Sequence, residues 1–220
     1  MTPSLAALTV ADPPEAWAAV GFAVDPGGVV RLGTVRIRLA GAGAGRGAVA
    51  WSLRGGEPGP IDGLPTDATD DPPPEPATHP NGARRIDHVV VWTPDGDRTV
   101  AALEARGLPA RRVRRVRGPG APIRQTFFRL GEVVLEVVAP EEAGEGPAGF
   151  FGLAVTVDDL DAAAALLGDR LGPARDAVQP GRRIATLRRE AGLSVPMALM
   201  SPEPPAEPGP RPRRGPAQAG

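Results

Sequence analysis

The chain has 220 residues, of which 41% are hydrophobic, and a formal net charge of −1. That is enough apolar content for an ordinary core, and too little charge imbalance to draw nucleic acid or an anionic membrane surface. With no Cys, disulfide scaffolds, thiolate zinc sites and cysteine nucleophiles are excluded.

From Ser4 to Leu53 the pattern predicts a short apolar strand (LAALTV) and then a helix of little more than two turns in ADPPEAWAAVGF. Asp12 is its candidate N-cap, Pro13 its first helical position and Gly21 its C′ residue. Two strands follow, FAV and VVRLGTVRIRL, the second folded as a hairpin at Leu32-Gly33. The loop AGAGAGRG contains a GxGxxG-like string, but it leads to the strand AVAWSL; without a helix N-terminus it is no phosphate cradle.

Between Gly55 and Ala83 Pro, Gly and Asp dominate, and the large aliphatics shrink to Ile61 and Leu64. This composition reads as a solvated linker with polyproline character. Next come a strand (IDHVVVW), a helix (DRTVAALEARG), a segment rich in Arg from Arg111 to Arg117 and a hairpin (RQTFFRLGEVVLEVV). The Arg run suits a solvated edge strand guarded against aggregation. Beyond an acidic loop, FFGLAVTV is a strand and Leu160 opens a helix capped by Asp158 or Asp159, with three more short strands after it. The chain from 202 to 220 is Pro-rich without apolar periodicity, and disorder is expected there.

No apolar run approaches the roughly 18 residues of a membrane span. The N-terminal stretch has neither a basic n-region nor a cleavage motif, so a cytoplasmic protein is expected.

Setting HVVVWTPDGDRTVAALEA over GLAVTVDDLDAAAALLGD matches strand to strand and helix to helix. FRLGEVVLEVVAP sets likewise against REAGLSVPMALMSP and against VRLGTVRIRLAG. The chain thus holds three copies of a βαβββ unit, the first shortened. Such units cannot cover their own sheet edges, so they pair. The division read from this is a shortened module at 1–54, a linker at 55–84, a paired-module domain at 85–201 and a tail at 202–220.

Strand alternation puts Ile86, His88, Val90 and Trp92 on one face, and Val134, Glu136 and Val138 on one face of the last strand. With a two-residue turn at Leu130-Gly131 or Gly131-Glu132, Gln125, Phe127 and Arg129 join the Glu136 face. A carboxylate inside VVLEVV would be costly to bury unpaired, and a salt bridge with Arg129 is its structural alternative to a site role. His79, the other His, lies in the Pro-rich linker.

A pair of βαβββ modules with His in the first strand and Glu in the last resembles the vicinal oxygen chelate superfamily, which includes glyoxalase I, extradiol dioxygenases and bleomycin-resistance proteins. The resemblance implies an α+β fold in which repeated βαβββ modules pair into cupped mixed sheets around a small oxygenated ligand. It places the family's metal ligands on His88 and Glu136, with Glu136 or a second carboxylate shuttling a proton, and a divalent metal as cofactor. Trp92, Gln125, Phe127 and Arg129 would line the cup. In the third unit the matching positions are Gly152 and either Met197 or Ala198, which cannot hold a metal. Two readings therefore stand: a metal-dependent lyase, isomerase or dioxygenase-like enzyme, and a metal-free small-molecule-binding protein of the bleomycin-resistance type. The first unit pairs either within the chain or across a homodimer.

Overall fold

The computed structural model describes residues 2–117 and 122–204; the tail expected to be disordered lies almost wholly outside the described residues. The first part of the chain contains β1 (Ser4–Val10), α1 (Pro14–Ala19), β2 (Val29–Leu32), β3 (Val35–Leu39), β4 (Ala48–Arg54) and β5 (Thr66–Thr69). Its strands form a five-stranded sheet in the order β2-β3-β1-β4-β5. The second part contains β6 (Ala83–Trp92), α2 (Gly96–Ala105), β7 (Arg112–Arg117), β8 (Pro122–Leu130), β9 (Val133–Pro140), β10 (Gly149–Val157), α3 (Leu160–Leu167), β11 (Arg175–Asp176), β12 (Arg183–Thr186) and β13 (Met197–Met200). These strands form an eight-stranded sheet in the order β11-β12-β13-β10-β6-β9-β8-β7.

Each half of the larger sheet is one βαβββ unit whose first and last strands run parallel, β6 beside β9 and β10 beside β13. The halves join through the antiparallel pair β6/β10. The smaller sheet repeats the scheme in reduced form. There β3 runs parallel to β1, β4 takes the antiparallel place beside β1 that β10 takes beside β6, and β5 lies parallel to β4. The first unit therefore finds its sheet partner within the chain.

Helix starts follow local capping chemistry. Asp95 accepts from the Arg98 N–H at the start of α2, and Asp159, rather than Asp158, accepts from the N–H groups of Asp161 and Ala162 at the start of α3. At α1 the expected cap is displaced by one residue: Pro14 opens the helix and Pro13 stands at the N-cap with no side-chain bond. Asp12 is buried instead, accepting from Trp17 Nε1 at 3.1 Å and from the Ser194 N–H at 2.7 Å. The segment FAV forms no strand. The β2/β3 hairpin turns at Gly33-Thr34, one residue later than expected, with Gly33 at φ 58.

Leu8, Ile37 and Trp51 of the smaller sheet and Val89, Leu135 and Phe128 of the larger belong to one apolar cluster. Trp51 shows how they meet, its indole N–H bonded to Thr66 Oγ1 at 2.6 Å and its ring 5.2 Å from that of Phe150, edge to face. The turn of β2/β3 also reaches the larger sheet, where the N–H and hydroxyl of Thr34 both donate to Glu132 Oε1 at 2.7 and 2.8 Å.

The stretch 55–84 is not the solvated linker its composition suggests. Ile61 and Leu64 are buried and bridge to one another, and 66–69 form β5. Its Pro-rich part lies against arginines of the smaller sheet. Arg54 Nε donates to the Asp71 carbonyl at 2.7 Å, Arg36 to that of Pro72 at 3.0 Å and Arg31 to that of Glu75 at 2.7 Å. A polyproline strand cannot satisfy its own carbonyls, and guanidinium donors do so here. His79, buried beyond this strap, accepts the Ala23 N–H on Nδ1 at 3.0 Å, so Nε2 carries the proton and donates to the Arg31 carbonyl at 3.0 Å. It is a structural cross-link far in role from a metal ligand.

Candidate ligand-binding cup

The hairpin β8/β9 pairs Leu130 with Val133, so its turn is Gly131-Glu132 and its register is set. Phe127 lies opposite Glu136, Gln125 opposite Val138 and Arg129 opposite Val134. Across the parallel β6/β9 pair His88 lies opposite Val134 and Val90 opposite Glu136. On the edge strand, Arg112 lies opposite Phe127 and Arg114 opposite Gln125. Directly opposed residues share a face. His88, Glu136, Gln125, Phe127, Arg129, Arg112 and Arg114 therefore all stand on one side of the sheet, while Val89, Leu135 and Phe128 are buried on the other.

Alternation fails in β6 beside His88. Ala154 pairs with His88 and Val155 with Ile86, leaving Asp87 as a bulge. The extra residue turns Ile86 away from the His88 face into the core and sets the Asp87 carboxylate beside its neighbour's ring. His88 Nδ1 and Asp87 Oδ1 are 2.9 Å apart, and Asp87 Oδ2 accepts from Arg182 Nη1 at 2.6 Å and from the Thr156 hydroxyl at 3.3 Å. Burial alone would push the Asp87 carboxyl up, but hydrogen bonds from His88 and Arg182 and the Arg182 charge outweigh it and hold the group well below the usual carboxylate range. An ionised carboxylate only accepts, so His88 donates through Nδ1 and turns Nε2 toward the cup. Arg182, itself 4% exposed, also donates through Nε to the Ser201 carbonyl at 3.0 Å.

Glu136 takes its hydrogen bond from Gln125 Nε2 at 2.6 Å and not from Arg129, which sits two pairs further along and donates to the Glu132 carbonyl. Burial pushes the Glu136 carboxyl up; the charges of His88 and Arg114 and the Gln125 bond pull it down without cancelling the rise. His88, Glu136, Phe127 and Arg129 line a cavity of about 640 Å3 together with Arg112, Arg114 and Arg182. Trp92, expected on the lining, is 45% exposed near the sheet end and does not border this cavity, and Gln125 stands behind Glu136 as its support.

Asp87, Arg182 and the Arg112/Arg114 pair were missed by sequence reasoning. A signal for Asp87 was present, since strict alternation would bury a carboxylate beside Val89 and Val91. Arg182 carried none, because its partner lies far away in sequence.

The donor set does not fit the metal site that the family resemblance implies. Glu136 stands beside Val90, two residues past His88; the residue beside Ala154, two past Gly152, is Ala198, which makes Ala198 rather than Met197 the counterpart. Met197 is buried in the core. A Cβ on Gly152 would lie 2.6 Å from the Pro196 carbonyl oxygen, so no ligating side chain can stand there. Asp87 is engaged by Arg182, and no group of three His, Cys, Asp or Glu among the described residues is placed to share an ion. Two ligands beside several guanidiniums make a poor divalent site.

Residues 87–186 match the family model described as Glyoxalase/Bleomycin resistance protein/Dioxygenase superfamily. No curated protein matches the chain in sequence. Among solved structures, a variant of 4-hydroxymandelate synthase from Streptomyces coelicolor is 14% identical and covers 90% of this chain and 92% of its own, with a TM-score of 0.61. A xylose isomerase-like TIM barrel/4-hydroxyphenylpyruvate dioxygenase fusion protein is 16% identical over 90% of this chain and 48% of its own, with a TM-score of 0.57. Methylmalonyl-CoA epimerase from Mycobacterium tuberculosis is 22% identical over 56% of this chain and 91% of its own, with a TM-score of 0.44. The first two share a fold with nearly the whole of this chain, both sheets included.

Proposed function

Residues 87–186 belong to the Glyoxalase/Bleomycin resistance protein/Dioxygenase superfamily, and from that premise we propose that the cup binds a small organic anion without a metal. The observation that carries this reading is the makeup of the cavity wall. Arg112, Arg114 and Arg129 face it, and none of the three is in a salt bridge among the described residues. Planar guanidiniums match carboxylate or phosphate oxygens in pairs and repel a divalent cation. Phe127 offers a ring face in the same wall, and His88 Nε2 a hydrogen-bond acceptor or, when protonated, a donor. The superfamily's metal-free binding branch is the reading this arrangement supports.

The test uses benzoate and phenyl phosphate in titration calorimetry, alongside metal content measured on untagged protein. Binding that weakens on Arg114→Ala and with added salt, and no stoichiometric divalent ion, is the expected result. A stoichiometric ion lost in both His88→Ala and Glu136→Ala would overturn it in favour of the metal enzyme.

A second reading rests on Glu136, whose carboxyl burial pushes up toward the pH at which acids and bases act. Glu136 would then move a proton on the bound anion while His88, steadied by Asp87, holds the group that gains charge. Exchange of a ligand α-proton with deuterated solvent, abolished by Glu136→Gln, separates this reading from binding alone.

A further inference from the structure

His88 lies on a boundary. On its one side is the arginine-walled cavity, and on the other a smaller hollow of about 160 Å3 bordered by Val90, Phe151, Gly152, Ala154 and Ala198. That second hollow belongs to the third unit, and it is apolar for the reason that a metal does not fit. Gly152 and Ala198 hold the places of His88 and Glu136, so the groups that would have ligated are replaced by room. The Pro196 carbonyl approaches Gly152 too closely for a side chain to grow there, so Gly152 sends none into the hollow. At its mouth Phe151 is 60% exposed, an aromatic side chain with no apolar cover of its own.

Resting on the anion-binding reading above, we propose that the cup takes an amphipathic organic anion, a carboxylate or phosphate head joined to an extended alkyl, acyl or aryl body. The head is held by Arg112 and Arg114, and the body crosses His88 to lie over Ala154 and Ala198 against Phe151. Charge complementarity sets the direction: Arg112, Arg114 and Arg129 of the lining all belong to the second unit, the third unit's Arg182 is engaged by Asp87, and the third-unit hollow is bordered by no Arg, Asp or Glu. From β7 to β10 is four strand steps, about 19 Å along the sheet. A compact anion reaches one half only, whereas an extended one reaches both.

The test titrates the full chain with inorganic phosphate, butanoate, octanoate and dodecanoate below their aggregation limits. Affinity should rise from octanoate to dodecanoate, the chain long enough to reach the hollow, by about four-fold for each methylene buried. Ala198→Leu, which fills the hollow, should abolish that rise and leave phosphate and butanoate unchanged. Val90→Thr, which keeps the β-branched shape, should weaken dodecanoate alone and guards against a folding defect in the first variant; unchanged unfolding midpoints verify both. Binding of phosphate and butanoate that depends on Arg114 but does not rise with chain length overturns the proposal while sparing the anion-binding reading. No binding of any of the four overturns both. A rise with chain length that survives in both Ala198→Leu and Val90→Thr places the tail elsewhere and also overturns the proposal.

Discussion

Asp87 is a buried carboxylate that is stable only in company. Its folded-state acidity is strengthened, so it contributes stability above the ordinary carboxylate range that is lost as pH falls through it. Removing Arg182 takes away one hydrogen bond and one charge, leaving the burial penalty on the ionised form opposed by His88 alone. Arg182→Met should therefore lower stability by about 3–5 kcal/mol at pH 7, with a smaller loss at pH 4, as read by urea unfolding. The double variant with Asp87→Asn should recover part of it. Glu136 works in the opposite sense. A carboxyl raised by burial contributes stability fully present below the unfolded value of about 4.3 and lost as pH rises through the folded one. Glu136→Gln should thus unfold at a higher temperature than the parent at pH 8 and at the same temperature at pH 4. Each kcal/mol is worth about 2–4 °C at this chain length. A difference that does not change with pH would mean that burial does not govern this group.

The strap from Asp71 to His79 has no periodic apolar pattern and no hydrogen bonds of its own kind, yet it is held at both ends. Its anchor His79 has its acidity shifted by burial, which favours the neutral ring over the charged one. A lowered folded value means stability present above about 6.5 and lost as the pH drops through the folded value. Thermal unfolding of the parent should therefore fall below pH 6.5. His79→Ala should cost about 1–3 kcal/mol at pH 7.5, through the orphaned Ala23 N–H, and should flatten the acid limb of the curve. An acid limb as steep in the variant as in the parent would assign the sensitivity to other groups. The edge strand β7 shows the reverse relation between pattern and role. Its arginines do lie on a sheet edge, as their spacing suggests, but Arg112 and Arg114 also face the cavity.

At the scale of the whole molecule, the smaller sheet is a support for the larger. It shares the apolar cluster, sets Trp51 against Phe150 and holds Glu132 on the cup rim through Thr34. A fragment of residues 83–204 would expose that shared surface, and patches of this kind bind hydrophobic dyes. It should bind anilinonaphthalene sulfonate and lose the cooperative thermal transition of the full chain. A sharp transition at the parent temperature would show that the larger sheet folds without its support. No helix among the described residues is long and apolar enough to cross a membrane.

What could be read from residues alone was whatever depends on near neighbours. Period-two alternation placed His88 apart from Val89 and put Glu136 with Phe127 across a two-residue turn, because successive side chains in a strand point to opposite faces. The cap of α3 was narrowed to Asp158 or Asp159 for the same reason, a cap being satisfied within three residues. The rest was decided by partners distant in the chain. Asp87 breaks the alternation because a bulge lets it meet Arg182, 95 residues on. Pro72 and Glu75 are ordered because guanidiniums of another segment need acceptors. Composition could not announce either, since a buried charge or an open carbonyl is satisfied by geometry and not by sequence neighbourhood. The cup's two halves divide along the same line. His88 and Glu136 were legible as a facing pair, whereas the apolar hollow beside them is walled by Val90, Phe151, Gly152, Ala154, Pro196 and Ala198, residues that only the tertiary structure brings together.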